Sequence, residues 1–422
     1  MLSGGGVAVV AWRMRNWSGT YEFHGNLVAP ATIDEARAAV AASGKVRPLG
    51  TRHSFTDIAD TDGTLLSVLD LPAGIDLDAD TVTLGGGVRY GELAAWLEER
   101  GRALHNMGSL PHISVAGAVS TGTHGSGLRN GSLSTAVRSL TLIGPDGDLR
   151  TVTTDAPDFA GSVVSLGRLG PIVRVGLATE PSYRVRQDVY LDLAWDDLLA
   201  DPLGVLGAGY SVSVFTDWVR DTVQQVWVKT RIDTDADDAG IERFGLRPAT
   251  RQVSIIETAG DNTTLQGSAG PWAWRLPHFR LDATPSDGEE IQTEFFVPVE
   301  AASDALRAVR ALGPRIAPEL LVTELRTIAA DDLWLSPAYR RDSLAIHFTW
   351  TDHVAAVDAL VPLVRDALAP FAARPHWGKV HAMTADTIAP LYPRFADALA
   401  LFHRMDPEGK FRNAHTDRVL GG

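Results

Sequence analysis

The sequence predicts an α+β fold in two parts. Three features carry that prediction. Up to about residue 182, short β-branched runs alternate with helical stretches; beyond Pro181 the strands lengthen and helices separate them; and two segments dense in Gly, Ser, Thr and His sit within the first part. With 422 residues, 45% of them hydrophobic and 21% charged, the chain can bury a core large enough for two or three domains.

In chain order, residues 32–43 read as a helix, 46–49 as a strand, and 65–68 and 81–84 as two more strands. Gly85-Gly86-Gly87-Val88-Arg89-Tyr90 then leads into an amphipathic helix, with Leu93, Trp96 and Leu97 at three- and four-residue spacing and Gly101 placed to end it. Residues 109–131 read as a loop, and a loop of that length inside a compact domain marks function. Residues 137–143 and 149–153 form a hairpin around Pro145-Asp146-Gly147-Asp148, and 172–177 a further strand. Strands follow at 189–191, 211–215, 224–229, 293–297, 320–326 and 344–350, with helices at 299–312 and 353–369. The expected division is a disordered extension over 1–13, a first domain over 14–182, a second over 183–375 in which an antiparallel sheet is flanked by helices, and a C-terminal segment over 376–422.

Charge and composition exclude several classes of function. Fifty-two acidic residues against 38 basic ones give a net charge of -14, which argues against nucleic acid or an anionic membrane as partner. The absence of cysteine excludes disulfides, thiolate catalysis, thiolate metal sites and cysteinyl attachment of a cofactor. The run Val7-Ala8-Val9-Val10-Ala11 is too short to span a membrane and has no basic leader before it. A monomeric cytoplasmic protein without a metal is the expectation.

Two segments point to chemistry. Pro48-Leu49-Gly50-Thr51-Arg52-His53-Ser54-Phe55 follows a strand, where small residues present backbone N–H groups to a phosphate. Ser114-Val115-Ala116-Gly117-Ala118-Val119-Ser120-Thr121-Gly122-Thr123-His124-Gly125-Ser126-Gly127 supplies a second set of donors and hydroxyls. Taken singly, each is as well explained as a glycine-rich surface turn; two separate anion cradles point to a pyrophosphate. Neither carries the Lys-Ser or Lys-Thr of a Walker loop, and neither opens a Rossmann strand–turn–helix unit.

These segments resemble the pyrophosphate- and flavin-contacting loops of FAD-binding domains of the vanillyl-alcohol oxidase type. With Asn106-Met107-Gly108-Ser109-Leu110-Pro111-His112-Ile113-Ser114, Glu324-Leu325-Arg326 and Pro375-His376-Trp377-Gly378-Lys379, the chain from Trp17 onward is similar to the bacterial alditol oxidases. The resemblance implies a two-part FAD-binding domain over 14–182, a cap domain that binds substrate over 183–375, and a C-terminal segment returning to the flavin. It implies FAD attached covalently through His53, with contacts from Pro48, Leu49, Gly50, Thr51, Arg52, Ser54, Ser109, Ser114, Gly117, Thr121, Gly122, Thr123, His124, Ile172 and His376. Pro171 departs from the aliphatic residue more usual there and removes one N–H donor.

Glu324 and Arg326 are two apart in a strand-like run and share a face, as do His347 and Thr349. Burying such groups unpaired is costly, although a structural Glu–Arg pair is common. The resemblance arranges Ser109, Glu324, Arg326, Thr349 and Lys379 around a polyol such as xylitol or sorbitol, with His347 as a further contact. Arg326 and Lys379 would then bind and polarise the reacting C1 hydroxyl, since nearby positive charge favours the alkoxide. Glu324 would orient the neighbouring hydroxyl. The proton acceptor is left open between Lys379, Glu324 and water, and Gly108 would leave room for dioxygen. The alternatives are an aldonolactone oxidase or dehydrogenase of the same superfamily, and a non-catalytic flavin-storing or sugar-binding protein.

Overall fold

Thr32 accepts a hydrogen bond from the Glu35 amide and so starts the helix Ile33–Ala42, which buries Ala36 and Val40. They pack on a three-stranded parallel sheet ordered Asn26–Val28, Thr64–Ser67, Val46–Leu49. The computed structural model describes residues 14–232, 240–255, 263–283 and 289–421; the extension expected at 1–13 lies outside the described residues.

A five-stranded antiparallel sheet follows, in the order Asp76–Asp78, Thr81–Gly85, Ile172–Ala178, Val137–Ile143, Leu149–Thr153. The expected hairpin is its edge. Helix Tyr90–Glu98 buries Leu93 and Leu97, and Gly101 turns the chain with φ 65°. Residues 109–131 differ from the loop expected of them. They contain the short helix Val115–Ser120, because Val115, Ala116, Ala118 and Val119 give it an apolar face that is buried in the main core with Val175 and Leu177 of the sheet.

The third sheet is antiparallel and nine-stranded. Its path runs Arg247–Pro248, Arg184–Ala194, Thr222–Arg231, Ser211–Thr216, Leu320–Ile328, Ser343–Trp350, Ile291–Pro298, Arg374–Pro375, and Ala269–Pro271 pairs beside Arg184–Ala194. All six expected runs are extended by one to several residues, three of them at both ends and three at one end. Alternation gives the sheet two unlike faces. Val212, Val214, Val226, Val228, Leu325, Ile346, Phe348, Phe295 and Val297 share a core with Leu306, Val309, Val357 and Val361 from helices Ala302–Ile316 and Val354–Leu368. The opposite face carries Lys229, Ser213, Glu324, Arg326, His347, Thr349, Gln292 and Glu294.

Arg47 ties the ends of the chain together. Its buried guanidinium donates to the carbonyls of Phe411, Ile58 and Leu166, two of them at 2.7 Å, and so fixes the C-terminal segment beside the strand that leads to His53. No helix among the described residues is long and apolar enough to cross a membrane.

Candidate active site

The polar face of the nine-stranded sheet forms one wall of a long cleft, and the two glycine-rich segments form the other. The segments meet at Ser114. Its amide donates to Thr51 Oγ1 at 3.0 Å, and a Cβ placed on Gly50 would displace its hydroxyl. Every residue expected to contact a cofactor lines the cleft except Gly122, which sits at φ 68° in the turn after Val115–Ser120, where a Cβ would meet Pro337.

His53 lines this cleft. Arg52 before it adopts φ 62°, a strained conformation that turns the chain, and Trp17 stacks on the imidazole with ring centroids 5.1 Å apart. His53 Nδ1 lies 3.0 Å from Thr51 Oγ1, whereas the buried Nε2 has no hydrogen-bond partner among the described residues. Burial, with the nearby charges of His112 and Arg89, lowers its pKa to about 4, so the ring is neutral at pH 7.

On the sheet wall of the same cleft, whose segment 376–379 is joined to the His53 loop by the hydrogen bond from the Phe55 amide to the Gly378 carbonyl at 2.8 Å, strand register sets a row of ionisable groups. Glu324 pairs with His347 and His347 with Glu294 across three neighbouring strands, so all three side chains stand side by side. One step along, Val322, Thr349 and Gln292 form the next row. Arg326 donates to Glu294 Oε1 at 2.8 Å and to Ser109 Oγ at 3.3 Å, and its Nε is 3.6 Å from Glu324 Oε1. Lys379, brought in by the C-terminal segment, donates to Glu294 Oε2 and to His347 Nδ1, both at 2.7 Å. His347 Nε2 therefore carries the proton and donates to Thr349 Oγ1 at 3.0 Å. The six residues expected around a substrate, Ser109, Glu324, Arg326, His347, Thr349 and Lys379, thus line the same cleft.

Glu294 is the centre that sequence reasoning missed. It is 0% exposed. Burial pulls its pKa upward, but Lys379, His124 and Arg326 outweigh this and hold it well below the carboxylate range. Glu324 behaves alike: burial raises it, while Arg326 and His278 keep it ionised. Burial lowers Lys379, against the pull of Glu294. Also missed were Gln292, His278, Lys229 and Trp17. The ligand atoms of His124, Glu294 and His376 lie within 4.8 Å of one another, and the two Glu294 oxygens also accept from Arg326 and Lys379.

Residues 26–153 match the FAD binding domain family and residues 287–419 the D-arabinono-1,4-lactone oxidase family. The chain is 44% identical to an alditol oxidase from a Streptomyces species, over 96% of this chain and 99% of that protein. The chain belongs to the alditol oxidase and aldonolactone oxidase family of FAD-linked oxidoreductases. A second member, an L-gulono-1,4-lactone dehydrogenase of Mycobacterium tuberculosis, is 30% identical over 94% of this chain and 96% of that protein. The fold is that of the cholesterol oxidase of B. sterolicum, with a TM-score of 0.77 at 16% identity, covering 97% of this chain and 96% of that one. The protein is accordingly an FAD-dependent oxidoreductase. Its residues fit the cofactor: the two loops abutting at Ser114 make the cradle, and the unpartnered Nε2 of His53 lies in the same cleft.

The Glu294 pairing makes a stability prediction. A carboxyl whose folded pKa lies below its unfolded value of 4.5 adds stability that is complete above that value and lost as pH falls through the folded one. Glu294→Gln should therefore lower stability by about 3 kcal/mol at neutral pH. In melting curves from pH 7 downward, the gap between wild type and variant should stay open to about pH 5 and close below it.

Proposed function

We propose that the protein oxidises the terminal primary hydroxyl of an alditol, xylitol or sorbitol, to the aldose, with dioxygen reduced to hydrogen peroxide. The observation that carries this reading is the meeting of Arg326, Lys379 and two ionised carboxylates in the cleft that His53 also lines. Residues 14–182 would hold FAD and His53 would link it, and the bound flavin would supply the two-electron acceptor chemistry that couples alcohol oxidation to reduction of dioxygen. The neutral ring and free Nε2 of His53 make that nitrogen the nucleophile for the link.

Residues 183–375 and the returning segment 376–422 supply the substrate groups other than Ser109, which comes from the first domain. Arg326 and Lys379 bind the C1 oxygen. Two of the tetrahedral positions of Lys379 Nζ are engaged by Glu294 and His347. As an amine it donates to both and keeps a lone pair for the hydroxyl proton, and as an ammonium it faces Glu294. Burial, which lowers its pKa, favours the amine that can accept that proton. Glu324 is too acidic for that task and instead accepts from the C2 hydroxyl. Ser109 and Thr349 hold the rest of the chain, and His347 keeps Lys379 and Thr349 in register.

The match of residues 287–419 to D-arabinono-1,4-lactone oxidase favours a second reading, oxidation of an aldonolactone. The two separate on substrate. Peroxide release should give kcat/KM for xylitol at least about tenfold above that for L-gulono-1,4-lactone, a difference the hydrogen-bonding groups can supply; the reverse order makes the protein an aldonolactone oxidase. The link is tested by acid precipitation. Yellow flavin should stay with the wild-type pellet and wash out of His53→Ala; colour that washes out of both excludes covalent attachment.

A further inference from the structure

Beside Glu324 stands a pair of buried groups that the mechanism above does not use, His278, which also lines the cleft, and Lys229. Lys229, on the strand Thr222–Arg231, is 1% exposed, and its Nζ donates to the Leu276 carbonyl and to His278 Nδ1, the latter at 3.0 Å. His278 Nε2 then carries the ring proton and donates to Glu324 Oε1 at 2.7 Å, with Ser213 Oγ 3.2 Å away. The arrangement repeats the one at Lys379, where a lysine fixes the tautomer of His347 and the ring directs its other nitrogen to Thr349.

Both hydrogen-bond partners of Lys229 are neutral, a carbonyl and an imidazole. A buried amine placed so costs more than a methionine of similar length would. Burial brings Lys229 down to about 7 and His278 to about 4, and an amine or an ammonium alike donates to Nδ1. The imidazole is thereby kept neutral and in one tautomer. One oxygen of Glu324 is consequently occupied by His278.

We propose that Lys229 and His278 are positioning residues that hold Glu324 in the orientation that receives the C2 hydroxyl of the polyol. This rests on the reading of Glu324 as the group that binds that hydroxyl.

A double-mutant cycle tests it, with holoenzyme matched for flavin content. Lys229→Met should lower kcat/KM for xylitol by about tenfold or more, the scale of coupling between residues in contact. Turnover of 1,3-propanediol, which has no hydroxyl on the neighbouring carbon, should change by less than about threefold, and in a Glu324→Gln background the same substitution should cost xylitol no more than that. Equal losses in both backgrounds, equal losses on both substrates, or no loss overturn the proposal. Should Lys229→Met fail to accumulate, His278→Phe carries the same cycle. Failure of the wild type to oxidise any polyol refutes the functional reading itself, before any variant is compared.

Discussion

A carboxylate shut away from water has to be met by donors at hydrogen-bonding distance, and around Glu294 that requirement is filled by two residues from different parts of the chain. Arg326 comes from the neighbourhood of the sheet centre, and Lys379 from the segment that returns after Arg374–Pro375. Removing either partner would take away one of the two side chains that satisfy the buried carboxylate, at a cost of a few kcal/mol. The pairing therefore fixes where the C-terminal segment lies relative to the sheet. The same contacts leave one position of Lys379 Nζ and the guanidinium of Arg326 for a ligand.

The nine-stranded sheet makes this arrangement affordable by dividing its two faces between two tasks. One face is sealed by Val, Ile, Leu and Phe against the helices Ala302–Ile316 and Val354–Leu368, and supplies the hydrophobic stabilisation. The other carries the row Glu324, His347, Glu294, aligned by antiparallel register and backed by the Lys229–His278 pair. A slip of one residue in any of these strands would send its charged groups into the apolar core.

Much of this was legible in the sequence. Strands at 46–49 and 137–143, the hairpin turn and the two long helices follow from β-branched runs, turn residues and period, and lie where expected within a few residues. The pairs Glu324/Arg326 and His347/Thr349 were visible because each breaks an apolar strand at a two-residue interval. Gln292-x-Glu294 and Gln225-x-Trp227-x-Lys229 have the same interval, and they are the signal by which Glu294 and Lys229 could have been found. What the sequence could not supply is register: the pairing of Glu294 with His347, and of His347 with Glu324, is decided by strand order across residues far apart in the chain. His278 lies outside any regular strand, and its meeting with Glu324 depends on tertiary packing. The short helix Val115–Ser120 was hidden by its glycine and serine content, which reads as a loop until its apolar positions find a sheet to cover.

In the proposed function Lys379, held by Glu294 and His347, takes the proton of the reacting hydroxyl. The most direct measurement is the rate of flavin bleaching when xylitol is mixed anaerobically with wild type and with Lys379→Met, each carrying the same flavin content. A fall of about 100-fold or more is expected in the variant, partly restored by added primary amines small enough to enter the cleft. An unchanged bleaching rate in Lys379→Met would contradict it.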